Sequence, residues 1–172
     1  MIGEKMLSTL NEQITKEFAS GYLYMQMAGW LESQSLPGLA NWMRIQALEE
    51  SCHATILFNH VCERGGTVDL GAIDKPATDF TSPLDVFERT LKHEQFVTES
   101  INACVDVAEA EKDRPANSML QWFIDEQVEE EANADDLRTK LERVGDGNGL
   151  FMLDQQCAAR VFTMPSPLAS GA

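Results

Sequence analysis

The chain is short of the features that would class it at a glance. None of the apolar runs in its 172 residues is long enough to span a bilayer. No signal peptide opens it, so the expectation is a cytoplasmic protein with no membrane partner. Cys52, Cys62, Cys104 and Cys157 form no C-x-x-C pair. That argues against a zinc or rubredoxin-type site and leaves reduced core thiols as the simpler reading. Positive charge is scarce: 13 Lys and Arg stand against 28 Asp and Glu, a net charge of −15. A chain so acidic repels nucleic acid and anionic lipid, and it attracts cations. Low-complexity sequence is confined to the tail. The length suits one domain with a sizeable core.

Helical periodicity accounts for most of what is there. A first helix is expected from about Glu4 to Ser33, with the seam Leu7, Leu10, Ile14, Glu17, Gly21, Tyr24, Ala28, Leu31. The short connection from Gln34 to Gly38 turns the chain back antiparallel. A second helix follows to about Arg64, with the seam Leu39, Met43, Gln46, Glu50, His53, Leu57, His60, and Gly65-Gly66 stops it. From Gly65 to Thr81 no helical period survives. Extended, that stretch can run the length of a bundle and set the third helix parallel to the second.

Ser82-Pro83-Leu84-Asp85 starts the third helix: Ser82 caps, Pro83 fits the first turn and Asp85 suits the N-terminal dipole. Its seam reads Leu84, Phe87, Leu91, Glu94, Thr98, Ile101, Val105, Ala108, ending near Lys112. Asp113-Arg114-Pro115 opens a fourth, with the seam Ala116, Leu120, Phe123, Gln127, Glu130, Ala134, Leu137, Leu141, Val144. The run Gly145-Asp146-Gly147-Asn148-Gly149 breaks it. Leu150 to about Arg160 reads as a short fifth helix, more apolar than a free surface helix needs. The division is a domain over residues 1–163 and a flexible tail over 164–172.

Charge falls where apolar side chains belong. Glu17, Glu50, His53, Glu94 and Glu130 all lie on buried seams. Such groups are costly there unless something pairs with them. Glu50-x-x-His53 puts a carboxylate and an imidazole on one helix face, able to grip one transition-metal ion together. An offset of 77 residues carries Glu17 to Glu94, Glu49 to Glu126, Glu50 to Gln127 and His53 to Glu130. Two helical hairpins related by a pseudo-twofold axis would thus bring their polar residues to one level, as in bundles that build a two-metal site in their core. Four carboxylates in low dielectric cannot all stay charged without counterions, and two divalent ions would neutralise them. Oxygen donors with one imidazole suit Fe(II) or Mn(II) and tolerate Zn(II). Glu50 is placed to bridge, and Tyr24, two turns from Glu17, can hydrogen-bond a ligand or supply an electron. The plainer alternative, polar residues that fix helix register, usually needs one Asn or Lys rather than this set.

On Glu17 with Tyr24, Glu49-Glu50-x-x-His53, Lys92-His93-Glu94-Gln95 and Glu126-Gln127-x-Glu129-Glu130, the chain from about Glu4 to Arg160 resembles a bacterial non-haem ferritin. The resemblance implies an all-α, ferritin-like four-helix bundle with a long crossover and a short fifth helix at a fourfold axis. It implies a ferroxidase centre in which Glu17, Glu50 and His53 hold one iron. Glu50, Glu94 and Glu130 would hold the other, with Gln127 beside it. Glu49, Glu126 and Glu129 match a third iron site that Glu130 borders. Fe(II) and O2 or hydrogen peroxide would be the substrates, and 24 copies of the chain would form a cage storing ferric oxide.

Three departures bear on this. Cys52 stands where bacterioferritins place a haem-ligating Met, so haem is not expected. Gln127 and Glu130 stand where bacterioferritins carry a second Glu-x-x-His. Asn117 and Leu120 stand where animal ferritins line a threefold channel with acids, so that route for iron does not carry over. The alternatives are a non-storage di-iron redox enzyme similar to rubrerythrin or bacterioferritin, and a non-catalytic helical bundle.

Overall fold

In the computed structural model, which describes residues 1–145 and 147–169, the chain forms six helices and no strand among those residues. They are α1 (Glu4–Ser33), α2 (Pro37–Glu63), α3 (Pro83–Ala110), α4 (Arg114–Val144), α5 (Asn148–Cys157) and α6 (Ser166–Ala169). Asp146, in the glycine-rich break, and residues 170–172 of the expected tail lie outside the described residues. No described helix is long and apolar enough to cross a membrane.

Local chemistry sets the ends. Ser82 Oγ accepts from the Asp85 backbone N–H at 3.0 Å, as the start signal implies. Asp113 caps α4 through the Ala116 N–H at 3.1 Å, and both its oxygens also take Arg64 at 2.9 and 3.0 Å. One carboxylate therefore closes a helix end and ties α2 to α4. Gly65, at φ 72°, takes the chain off α2 in the left-handed region, where a side chain would be strained.

Contacts along the helices fix the topology. Glu17 meets His53 and Ile2 N–H reaches Arg64 O, so α1 and α2 are antiparallel. Tyr24 pairs with Glu94, Ser20 with His93 and Gln13 with Ser100, so α1 and α3 are antiparallel too. Hence α3 runs parallel to α2, as expected of a crossover. The crossover is laid along α1: Asn11 Nδ2 donates to Thr67 O at 3.1 Å and Gly71 N–H to Thr15 Oγ1 at 2.9 Å. Phe80 closes it against Trp30, ring centroids 5.9 Å apart.

The core is split in two. One apolar half gathers Tyr24, Met27, Leu31, Leu39, Met43, Phe87, Leu137 and Leu141. The other gathers Met6, Leu10, Ile14, Leu57, Val61, Ile101, Leu120 and Phe123. Between them lies a layer of buried polar side chains: Gln13, Glu17, Gln46, Glu50, His53, Glu94, Gln127 and Glu130.

The expected seams hold with local shifts. Met6 rather than Leu7 is fully buried, and His60 is only half-buried. On α3, Leu91, Thr98 and Val105 are half-buried, while Thr90, Val97 and Cys104 are buried. The reason is that α3 has two neighbours. Thr90 and Cys104 reach Met27 and Gln13 on α1, whereas Thr98 faces Gln127 and Glu131 on α4. The fifth helix runs from Asn148 to Cys157, two residues earlier at its start than its apolar pattern suggests. The segment after Thr163 includes one helical turn, α6.

α5 is locked to the start of α2. Leu39 N–H donates to buried Asp154 Oδ1 at 2.9 Å, and a Cβ on Gly38 would lie 1.7 Å from the Asp154 carbonyl oxygen. Backbone meets backbone there, so neither side can yield cheaply. Gly38→Ala should displace α5 and lower stability by about 1–3 kcal/mol, the usual range for overpacking. Thermal melting together with hydrogen exchange over α5 checks this. An unchanged melting temperature and unchanged protection of α5 would remove the lock.

Candidate metal centre

The polar layer takes one side chain or more from each of the four long helices. α1 brings Glu17 and Tyr24, α2 brings Glu50 and His53, α3 brings Glu94, and α4 brings Gln127 and Glu130. The i, i+3 spacing works as expected: His53 Nδ1 lies 3.6 Å from Glu50 Oε2 and 3.9 Å from Glu17 Oε2. Donor atoms of Glu17, Glu50 and His53 lie within 4.8 Å of one another, and so do those of His53, Glu126 and Glu130.

The carboxylates are satisfied unequally. Glu17 Oε1 accepts from Gln13 Nε2 at 2.8 Å. Glu94 Oε1 accepts from the Tyr24 hydroxyl, and Glu94 Oε2 from Gln127 Nε2 at 3.3 Å. Glu130 Oε2 accepts from Gln46 Nε2. What remains is telling. Glu17 Oε2, Glu50 Oε2 and His53 Nε2 are buried without a hydrogen-bond partner among the described residues. Buried polar atoms are nearly always paired, and an unpaired one costs about 1–3 kcal/mol. The two orphan oxygens converge with His53 Nδ1, which is the donor set of a divalent metal. On the far side of the ring, His53 Nε2 stands 3.9 Å from Glu126 Oε1, longer than a hydrogen bond but close enough to orient the imidazole.

Burial governs the charge states. It pushes Glu50 well above the usual carboxylate range, with His53 opposing the rise. It takes Glu94 to about 7, against the pull of the Tyr24 and Gln127 bonds. It takes Glu130 to about 8, with the Glu94 charge adding to it. For His53, burial favours the neutral ring, but Glu126, Glu50 and Glu17 outweigh it and hold the imidazole well above its ordinary value. Burial, then Glu94 and Glu50, keep the Tyr24 phenol neutral. The layer thus favours protonated carboxyls over charged ones.

The other candidates are placed less tightly. Glu49 is bound to Arg160, Nη2 to Oε2 at 2.6 Å. Burial raises the Glu49 carboxyl and Arg160 opposes it. Glu126 is half-buried and reaches His53, while Glu129 is exposed and outside both donor groups. Cys52 lies 3.9 Å from Met164 Sδ.

Several supporting residues were not assigned a role from the sequence: Gln13, Gln46, Thr98, His93 and Arg160. Two carried a readable signal. Gln13 and Gln46 each precede a buried Glu by one helical turn on the same face. His93, taken by burial to about 4, packs edge-on to Tyr24 at 5.7 Å and bonds Ser20 at 2.7 Å.

A long-crossover bundle with a carboxylate and histidine layer at its waist defines the ferritin-like class. A profile of the ferritin-like domain matches residues 7–144, and the chain belongs to the ferritin family. It is 40% identical over 160 residues to the bacterial non-heme ferritin of Bacteroides fragilis (strain 638R), covering 93% of this chain and 100% of the relative. It is 40% identical over 156 residues to the bacterial non-heme ferritin of Campylobacter jejuni, covering 90% and 93%. Among solved structures it is similar to an open-pore ferritin from Archaeoglobus fulgidus, at TM-score 0.91 and 44% identity, with 93% of this chain and 98% of that one covered. A form of the Archaeoglobus fulgidus ferritin engineered to be closed matches at TM-score 0.93 and 45% identity, covering 95% and 100%.

The proton-holding centre has a thermodynamic consequence. Between about pH 4.5 and 8 the folded apo protein keeps protons on Glu94 and Glu130 that the unfolded chain has lost. Stability therefore falls as pH rises through that window, and His53 adds to the fall above the ordinary histidine range. Zn(II) should release protons at pH 7, raise the melting temperature and flatten its pH dependence. Calorimetric titration in buffers of different ionisation enthalpy measures the release. Zero release at pH 7 would contradict this account of the layer.

Proposed function

We propose that this protein stores iron and is a ferroxidase. It takes Fe(II) as substrate at a two-iron centre, oxidises it with O2 or hydrogen peroxide, and passes the ferric product into the cavity of a 24-subunit cage as hydrated oxide. The observation that supports this most is the convergence of unpartnered Glu17 Oε2 and Glu50 Oε2 on His53 Nδ1 in the buried layer. Relatives named bacterial non-heme ferritins, matched over nearly their whole length, support the same reading.

The roles follow from the donors. Glu17, Glu50 and His53 hold the first Fe(II). Glu50, Glu94 and Glu130 hold the second, with Gln127 beside it, and Glu50 bridges. Two Fe(II) carry four positive charges against four carboxylates, so occupancy removes the repulsion that keeps protons in the apo layer. Each Fe(II) gives one electron. Together they reduce O2, with two protons, to hydrogen peroxide, or reduce hydrogen peroxide, with two protons, to water. Tyr24 holds Glu94 through its hydroxyl. Glu126 orients His53 from behind. Glu49, Glu126 and Glu129 form an outer acidic position bordered by Glu130, through which product leaves. Cytoplasmic placement suits reduced cysteines, and haem has no part in the scheme.

Anaerobic Fe(II) loading followed by air tests the whole reading, with ferric absorbance and particle size followed together. A store gives fast oxidation and an iron-filled particle of several hundred kilodaltons. Fast oxidation without retained iron would favour the non-storage alternative. His53→Ala and Glu50→Ala should each slow the initial oxidation by more than roughly a hundredfold, the upper end of what loss of a supporting residue costs. The fold should survive both, because neither side chain belongs to the apolar half-cores, and losing Glu50 also relieves repulsion. Glu50→Ala should be the more severe, since it strips a donor from both irons. Wild-type initial rates in either variant would refute the assignment.

A further inference from the structure

The chain beyond α5 turns back along α2 instead of leaving the bundle. Asn41 Nδ2 donates to the carbonyls of Cys157, at 3.4 Å, and Arg160, at 3.0 Å. Arg160 then lies over the Trp42 ring, 4.5 Å from its centroid. Its Nη1 donates to Trp42 O at 3.3 Å and to Gln46 Oε1 at 3.0 Å, and its Nη2 to Glu49 Oε2 at 2.6 Å. Further on, Met164 reaches Cys52, and Leu168 packs against the apolar half that holds Met6 and Leu57. The segment thus follows α2 past positions 41, 42, 46, 49 and 52.

Two of these bonds reach the metal centre. Gln46 is held at both ends: its oxygen accepts from Arg160 and its amide nitrogen donates to Glu130. An amide can face either way round, and Arg160, which only donates, settles which end meets the carboxylate. Glu49 is the second. It belongs to the outer acidic position, and its Oε2 is taken by a guanidinium rather than left open. The pair is only partly buried, the Arg160 side chain 22% and the Glu49 side chain 16% exposed, so the guanidinium can be displaced into water.

We propose that Arg160 is an internal competitor for metal: its guanidinium fills the cation place at Glu49. This rests on the reading that Glu49 and Glu130 handle iron. A metal ion reaches Glu49 by displacing Arg160, because a divalent or trivalent ion shared with Glu126 and Glu130 outbids a monovalent one shared with Glu49 alone. Displacement frees the turned-back segment from its strongest anchor. Cys52, half-buried and in contact with Met164, then becomes more accessible, so filling of the outer position is coupled to loosening of the C-terminal segment.

The probe is Tb(III), a hard ion that takes carboxylates, disfavours thiols and undergoes no redox change in these conditions. On the assembled protein, R160Q should bind Tb(III) roughly tenfold more tightly than wild type, as loss of one charge-assisted bond to the competitor implies. R160Q/E49Q should bind no more tightly than E49Q. R160K, which keeps the charge but not the fork, should fall between wild type and R160Q. In the wild type, Tb(III) should speed alkylation of Cys52 relative to exposed Cys62, located by mass spectrometry. A merely structural Arg160 predicts the opposite sign: R160Q would disorder Glu49 and weaken Tb(III) binding. Equal or weaker binding in R160Q overturns the proposal, as does Cys52 reactivity that ignores Tb(III). If R160Q does not assemble, R160K and the wild-type alkylation rates decide. The Fe(II) oxidation burst of the wild type separates the two readings. A missing burst with the Tb(III) differences intact sinks the ferroxidase reading alone. An intact burst without those differences sinks the role of Arg160 alone.

Discussion

The structure depends on one constraint, the burial of carboxylates at mid-height between two apolar half-cores. An uncompensated buried ion costs several kcal/mol even after relaxation. A domain of this kind has a net stability of only about 5–15 kcal/mol. Glu17, Glu50, Glu94 and Glu130 cannot all be charged and unpaired within that margin. The chain meets the constraint in graded ways. Gln13, Gln46, Gln127 and Tyr24 each donate to one carboxylate oxygen. Protons cover part of the rest, since Glu94 and Glu130 are held near 7 and 8. What no protein group covers, on Glu17 and Glu50, is left facing His53.

The two half-cores make this layer possible. Met6, Leu10, Leu57 and Phe123 pack on one side of it, and Met27, Leu31, Met43 and Phe87 on the other. Each side draws apolar side chains from all four long helices and so clamps them above and below the polar layer. At about 25 cal/mol per Å² of apolar surface removed from water, a handful of such side chains matches the cost of one buried ion. The long helices are therefore part of the metal chemistry: a shorter bundle would have the polar layer but not the two clamps that fix its height.

Much of this was legible in the sequence because it is written in helical spacing. Glu50 and His53 share a face by their i, i+3 separation, and the structure brings them within 3.6 Å. The 77-residue offset brought Glu17, Glu94, Gln127 and Glu130 to one level. The cap at Ser82 and the crossover from Gly65 to Thr81 followed from turn chemistry. Other parts were hidden because they depend on packing between elements. Thr90, Val97 and Cys104 are buried because α3 leans on α1, which a single-helix period cannot show. Arg160 lies 30 residues past Glu130, the nearest of the layer residues in sequence, and reaches the layer, at Gln46, only because the chain turns back over Trp42. A lone arginine after a short helix carries no pattern.

The layer is lopsided, and the imbalance bears on what it is for. On the α2 side, the donors are Glu50 and His53, and the ring is steadied by Glu126 from behind. On the α4 side, the matching places hold Gln127 and Glu130, and neither brings an imidazole. Gln127 is engaged with Glu94 O, Glu94 Oε2 and Thr98 Oγ1, all at 3.3 Å, so its amide props the carboxylate more than it offers a donor of its own. Imidazole gives a borderline-soft divalent metal a firmer and more directional bond than a further carboxylate. On the proposed reading, a second iron held by Glu94 and Glu130 would be the more loosely bound of the two. It is also the one next to Gln46, Arg160 and the outer acids Glu49 and Glu126. A permanent cofactor would call for two firm positions. One firm and one loose, with the loose one opening toward further carboxylates, is what a site needs if the metal it holds is a substrate on its way through.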